Sequence, residues 1–341
     1  MSEEKKIIKV KCVNGIDFRT FIDDIIASKD LEKSFEFIAS EQPNLLIFGP
    51  YGNDLPPKGN YIRVGYFCEN ITPDMTTCEW AFGVPREEEI QHLNYQRIQW
   101  HGLDPKVLLK NIDDNEIDQI FNQKTKFCNF LYSHQVPYRE EFFKQLSKYK
   151  KVDAPGRSMN NMASIDQLYK GNIWERKRQF LKQYKFTIAF ENYVYPGYQT
   201  EKLYDAMQCY SIPIYCGDPY INEVFNTNSF INVSDYKKPN NNSLVKFLER
   251  NAQLNFRDIL PLYHRNPKDR IQRKLKDWGK KLKMFKQFHN SDFSEVIDRI
   301  IELDQNPDLY KNMIKESWFN QNQVASITTS KTQWMKILKN L

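Results

Sequence analysis

Between Glu191 and Lys202 the chain gathers two carboxylates (Glu191, Glu201), an amide (Asn192), a phenol (Tyr198) and an ammonium (Lys202). Ammonium and amide donate hydrogen bonds, carboxylates accept them, and a phenol does either, so these types together hold an anion or move a proton. Thr200 precedes an apolar run at Leu203, Ala206, Met207 and Tyr210, and therefore reads as the N-cap of a helix from Thr200 to Tyr210. The first N–H groups of that helix would point into the same crevice as the Lys202 ammonium, which makes an anion site. Spacing alone fits equally well with Glu201 and Lys202 as solvated first-turn residues.

The elements around these residues decide where they sit. Phe186 to Phe190 is apolar enough to be buried on both faces, and Ile212 to Tyr215 is a second such strand. Strand, loop, helix and strand make a parallel βαβ unit, with its loop at the carboxyl edge where open α/β sheets bind ligands. Two further residues stand at comparable places. Glu69 follows a strand, Tyr61 to Phe67, and precedes Asn70, Thr72 and Pro73, which are turn residues. Arg139 opens a helix marked by Phe142, Phe143, Leu146 and Tyr149. Read alone, Glu69 is an exposed turn glutamate and Arg139 is an i,i+4 partner for a helical acid.

The segments FEN at 190–192, GYQTEKLYDA at 197–206 and IPIYCG at 212–217 resemble the signature of the α1,3/α1,4-fucosyltransferases, the family-10 glycosyltransferases, in a bacterial or viral soluble form. RVGYFCEN at 63–70, PYREEFFKQLSKY at 137–149 and the strand residues near Trp80 to Gly83 agree in order, so the similarity spans roughly residues 44 to 236. The resemblance implies an α/β fold of GT-B type, with two Rossmann-like domains facing a cleft. It implies GDP-fucose as donor, inversion at the anomeric carbon, and an oligosaccharide or glycan acceptor with an α1,3 link to a GlcNAc-type residue favoured. By position it makes Glu69 the general base, Arg139 a group reaching the donor diphosphate, and Asn192, Tyr198, Glu201 and Lys202 donor-binding residues. Cys216 stands where the family often has Trp, and the spacer YVYPGY includes Pro196. Both departures bear on the pocket around guanosine or fucose.

No Asp-x-Asp triplet of the metal-dependent type is present, and Asp113 and Asp114 fall in an apparent interdomain connection. No cofactor is required on this reading, although stimulation by a divalent metal such as Mn is compatible with it. Six cysteines and five histidines lack zinc spacing. Neither a Gly-x-Gly-x-x-Gly nor a P-loop occurs, which removes the main support for dehydrogenase and kinase readings. No apolar run reaches membrane-span length, and the polar start Met1 to Lys6 does not read as a signal peptide, so the expected location is cytoplasmic, with a peripheral membrane association compatible.

The length of 341 residues favours two domains, and the resemblance then implies residues 1–115 as an acceptor-side Rossmann-like domain carrying the general base and 120–325 as a GDP-fucose-binding Rossmann-like domain, followed by a C-terminal helix at 330–341. Lys110 to Lys124 is polar and acidic enough to include the linker. Residues 237–290 read as a basic helical insertion in the second domain. They hold 15 Lys and Arg against 4 Asp and Glu, a net of +11 in a chain whose total is +6. Ile271, Leu275, Trp278, Leu282 and Phe285 recur there at helical spacing among lysines, as a basic amphipathic helix requires. This stripe fits contact with an anionic membrane, or packing in a helical hairpin with Trp278 and Phe285 as core. Alternatives to fucosyl transfer are transfer of another nucleotide-activated sugar on the same fold, or polyanion binding through the basic segment with Phe256, Tyr263 and Trp278 interleaved. A nucleic acid is not the expected partner, because a polyanion binder has no use for the matched Glu69, Arg139 and Lys202.

Overall fold

Strands buried on both faces need continuous apolar runs, and the runs found in this sequence assemble into two parallel sheets. The computed structural model describes residues 5–27, 31–52, 55–236, 243–288 and 291–341. Lys6–Val13 (β1), Phe35–Ala39 (β2), Leu45–Phe48 (β3), Ile62–Phe67 (β4), Trp80–Gly83 (β5) and Tyr95–Arg97 (β6) form one sheet in the order β2-β1-β3-β4-β5-β6. Lys126–Asn129 (β7), Val152–Asp153 (β8), Tyr184–Phe190 (β9), Ile212–Cys216 (β10) and Ile231–Asn232 (β11) form the other, in the order β11-β10-β9-β7-β8. All the strand pairings are parallel. Both orders are doubly wound, with the reversal between β1 and β3 in the first sheet and between β7 and β9 in the second. Ligands of such sheets bind at the carboxyl ends next to that reversal.

The diagnostic βαβ unit lies where periodicity put it, with helix Glu201–Gln208 between β9 and β10. The register Ile212↔Phe186 through Cys216↔Phe190 sets Glu191 beside Gly217 at the carboxyl edge. Three details differ from the sequence reading. β2 was not anticipated, nor was β6 at Tyr95–Arg97. Asp113 and Asp114 are not in a loose connection: Asp113 is the N-cap of helix Asp114–Gln123 in a capping box with Glu116. Ile117 of that helix packs into the second-domain core, and Lys315 and Lys311 pair with Asp114 and Asp118 at 2.5 and 2.6 Å. The acidic cluster therefore belongs to the second domain, as a helix start.

The C-terminal helix Ala325–Lys339 crosses to the first domain. Trp334, Ile337 and Leu338 are fully buried with Ile8, Phe21 and Phe82, and Trp334 stacks on Phe82 at 4.6 Å. Each side chain of this size contributes roughly 1.5–3 kcal/mol on burial, so the crossing fastens the two domains together.

The basic segment is helical where described, at Ser243–Asn251, Phe256–Ile259 and Pro267–Phe288, but it is not an insertion confined to the second domain. Residues 237–242 and 289–290 lie outside the described residues, as do Met1 to Glu4. Phe256 and Leu260 are fully buried on the first sheet against Phe48 and Phe67, with the Phe256 and Phe67 rings 4.9 Å apart. Thr72 exchanges two main-chain hydrogen bonds with this stretch, its N–H to Leu254 O and its carbonyl from Phe256 N–H, both 2.9 Å. The physical reason is the sequence NFRDIL at 255–260, whose Asn255–Asp258 capping box aims Phe256 and Leu260 at an open apolar face of the sheet. At its other end Lys283 donates to Val194 O at 2.7 Å and pairs with Glu249 at 2.7 Å. The segment is thus a strap across both domains.

Trp278 and Phe285 are not core residues of a hairpin; they are 62% and 52% exposed, while Gly279, Lys283 and Phe288 are the buried positions of their helix. Gly279 explains the choice of face. A Cβ there would lie 2.8 Å from the Ala252 Cβ, so only a glycine lets the two helices approach on that side. Of the aromatics read as interleaved with charge, Phe256 is core, the Tyr263 side chain lies outside the described residues, and Trp278 faces solvent.

Candidate active site

Glu191 organises the second-domain edge, a role its position after β9 did not reveal. Its carboxylate, fully buried, accepts from the Thr200 N–H at 2.8 Å and the Thr200 hydroxyl at 2.7 Å, and pairs with Lys202 at 3.4 Å. Burial pushes this carboxyl up, with Lys202 and the Thr200 hydrogen bonds opposing. Thr200 is the N-cap residue, but its hydroxyl serves Glu191 and Lys202 and does not cap the helix backbone. The loop 191–200 is in effect tied shut at its base by one side chain.

Lys202 sits between Glu191 and Glu201, 3.6 Å from the latter. Burial alone would lower its ammonium, but the two carboxylates outweigh burial and hold it above the ordinary lysine range. Glu201 is likewise pushed up by burial and held below the usual carboxylate range by Lys202 and Lys177. The two expected donor residues therefore form an ionised pair at the first turn of the helix. Tyr198 is buried on the same loop, and its phenol is raised first by burial and then by Glu191, Glu69, Glu201 and Tyr51.

Arg139, which the resemblance makes a group reaching the donor diphosphate, does not pair with a helical acid among the described residues, the reading its spacing gave alone. It is fully buried, stacked 3.5 Å over the Tyr132 ring, and donates to His134 O at 2.7 Å and to Asn192 Oδ1 at 3.0 Å. Its Nε is buried with no hydrogen-bond partner among the described residues. Arg139 and Asn192 are brought together, with the guanidinium fixing the amide and its Nε–H uncommitted among the described residues. A cavity of about 960 Å³ opens beside them, lined by Val136, Pro137, Asn192, Tyr193, Lys280 and Phe288 among others, and is large enough for a nucleotide-sized ligand.

The opposite wall comes from the first domain. Glu69 is exposed on the turn after β4, where its carbonyl accepts from the Ile71 N–H. Tyr51, in the loop after β3 and next to the strand-order reversal, stands near the Glu69 carboxylate; its phenol is pushed up by desolvation, then by Glu69 and Cys68. Glu69 also acts electrostatically on Tyr198 and on Lys280, which stands 4.8 Å over the Tyr193 ring. A carboxylate from one domain thus faces the cationic and phenolic edge of the other, and Tyr51 is a participant that only the strand order could have indicated.

Asp218 locks the two walls in register. Its carboxylate accepts from the Gly197 N–H at 2.9 Å, Gln199 Nε2 at 2.7 Å and the Tyr220 N–H at 3.0 Å, and it pairs with Arg97 of the first domain at 3.0 Å. Arg97 also donates to Gly197 O at 2.9 Å. Gly197 has φ +85°, and a Cβ there would meet Val84 O of the first domain at 2.7 Å. Both the conformation and the close approach demand glycine. Among the described residues, no group of three or more His, Cys, Asp or Glu is placed to hold a metal ion.

Comparison with known proteins bears on the fold. Residues 121–257 match the family model described as glycosyltransferase family 10 (fucosyltransferase) C-term. Putative fucosyltransferase R654 of Acanthamoeba polyphaga mimivirus is 36% identical over 160 residues, covering 44% of this chain and 26% of that protein. The α-(1,3)-fucosyltransferase FucT of Helicobacter pylori is 37% identical over 115 residues, 33% of this chain and 22% of that protein. The aligned part is thus about a quarter of the length of these relatives. The crystal structure of an α1,3-fucosyltransferase with GDP superposes with a TM-score of 0.66 at 20% identity, over 99% of this chain and 92% of that one. The same comparison to an α1,3-fucosyltransferase with GDP-fucose gives a TM-score of 0.64 at 21% identity. The shared fold is the two-domain GT-B arrangement.

Proposed function

We propose, from the premise that this chain belongs to glycosyltransferase family 10 through its second domain, that it is an inverting fucosyltransferase using GDP-fucose. The observation that carries the reading is the opposition across one cleft of Glu69 and the Tyr198–Lys202 edge. Glu69, open to an incoming molecule, takes the proton of an acceptor hydroxyl as that oxygen bonds to the anomeric carbon from one face. The bond from that carbon to the diphosphate breaks on the other face, and the GDP carries away the electron pair. Lys202, the first N–H groups of helix Glu201–Gln208 and the Asn192 amide receive the charge that develops there. The neighbouring cavity takes the guanosine, and the acceptor is a glycan hydroxyl, with an α1,3 link to a GlcNAc-type residue favoured. Positive charge from the chain itself carries the leaving group, so turnover is expected to survive EDTA.

The test is turnover of GDP-fucose on a panel of glycan acceptors with linkage analysis, run beside calorimetry with GDP. Glu69→Gln is expected to lower turnover by about 10²–10⁴-fold while GDP binds as before. Lys202→Met is expected to weaken both. Near-normal turnover in Glu69→Gln removes the base from the mechanism, and absence of GDP binding removes the reading altogether.

A further inference from the structure

Helix Pro267–Phe288 turns its apolar stripe outward. Ile271, Leu275, Trp278 and Phe285 are 59%, 61%, 62% and 52% exposed, and at 100° per residue they share one face with the half-buried Leu282. That face is about 20 Å long, from the rise of 1.5 Å per residue. Exposed lysines border it on both sides, Lys274 and Lys281 along one margin and Lys268 and Lys286 along the other. The helix carries nine Lys or Arg against two Asp. Its inner face is fixed by Gly279 against Ala252 and by Lys283 on Val194 O, so the stripe cannot turn inward without breaking that packing.

A contiguous apolar face of this size on a surface marks an interaction site, and its chemistry selects the occupant. A second copy would bring an equally basic helix against this one, which repels. A plane of anionic headgroups over hydrocarbon satisfies both parts: the lysines meet the headgroups while the aromatic and aliphatic side chains enter the acyl boundary. No described helix is long and apolar enough to cross a membrane. We propose that the outer face of helix Pro267–Phe288 is a docking surface for an anionic lipid bilayer, on which the helix lies in the interfacial plane. The opposite side of the same helix carries Lys280 over Tyr193 and within the field of Glu69, so docking sets the mouth of the cleft one helix diameter from the headgroups. In so far as it concerns that mouth, the inference rests on the transferase reading; the lipid contact itself does not.

The experiment is co-sedimentation of the full chain with phosphatidylcholine vesicles and with vesicles that also contain phosphatidylglycerol. An anionic preference of about 100-fold or more is expected, from roughly tenfold or less per lysine near the surface, and it should fall with added salt. Leu275→Glu with Trp278→Glu should abolish binding to either vesicle while the thermal midpoint and GDP binding stay as in the parent. Lys268→Gln with Lys274→Gln, a milder exposed pair away from the cavity, should remove most of the anionic preference, and keeps the test decisive if the first pair disturbs folding. Equal affinity for the two vesicles, or binding retained in both variants, overturns the proposal. So does concentration-dependent dimerisation abolished by the same substitutions, which would assign the stripe to a second copy, or tighter binding to an oligonucleotide than to anionic vesicles. GDP binding is read independently, so failure here leaves the transferase reading standing, and the reverse.

Discussion

On the second-domain side of the cleft, Arg139, Glu191 and Asp218 are all within 1% of complete burial, and between them they fix the loop from Glu191 to Gln199 by side-chain bonds. On the first-domain side, Glu69 is exposed and its neighbour Tyr51 is itself 62% exposed. One wall is rigid before any ligand arrives and the other is adaptable. A wall that must stabilise charge at a fixed point gains from preorganised donors, whereas a wall that admits acceptors of varied shape gains from loose side chains and pays for it in weaker positioning. On this contrast, substitutions in the rigid wall should cost stability and donor affinity together, and those in the open wall should cost turnover alone.

Asp218→Ala offers the largest break. It leaves Arg97 buried without its carboxylate and frees the Gly197 N–H, and loss of one partner of such a pair costs about 3–5 kcal/mol. Urea denaturation should show a drop of that order, with GDP affinity falling alongside; a stable variant with normal GDP binding would mean that the rigid wall is not held by Asp218. Gly197→Ala comes next, at roughly 1–3 kcal/mol for a strained positive φ, with the clash on Val84 O in addition. The thermal midpoint is the readout, and no change in it would contradict the close domain contact. Tyr51→Phe removes the hydroxyl beside Glu69, an effect of the order of one hydrogen bond, about 0.5–1.5 kcal/mol, so turnover should fall by roughly three- to tenfold while stability and GDP binding hold. A loss of stability instead would show that the open wall is structural.

The smallest effect is a pH shift at Lys280. Burial pushes its ammonium down and Lys283 adds to that, against Asp277 and Glu69, so its charge is lost on raising the pH sooner than that of an ordinary lysine. Arginine stays charged throughout. In Lys280→Arg the alkaline limb of the turnover profile should therefore extend to higher pH, and an unmoved limb would separate Lys280 from the Glu69 side of the cleft.

Legibility in the sequence followed range. β9, helix Glu201–Gln208 and β10 were readable because a parallel βαβ unit is local and strongly periodic. β2 was not, because Phe35–Ala39 is short and partly exposed at the edge of its sheet. Glu69 and Tyr198 were singled out by the resemblance, yet Asp218 was passed over, since its partner Arg97 is 121 positions away and spacing carries no trace of that contact. Arg139 showed the limit of residue type. Read alone it was an i,i+4 partner for a helical acid, and only the packing of Tyr132 and Asn192 against it reveals where its donors go. For helix Pro267–Phe288 the apolar stripe was evident, but periodicity cannot say which face meets the protein. Gly279 was the signal, and it becomes meaningful only once Ala252 is known to oppose it.

Trp334, Ile337 and Leu338 complete the core that Ile8 and Phe21 begin, and this has a consequence for how the chain matures on the ribosome. A domain whose strands emerge first cannot close until residues some three hundred positions later have been made. Its apolar surface waits until the C-terminal helix has been made. Early release or stalled translation would therefore leave the N-terminal half as a client for chaperones.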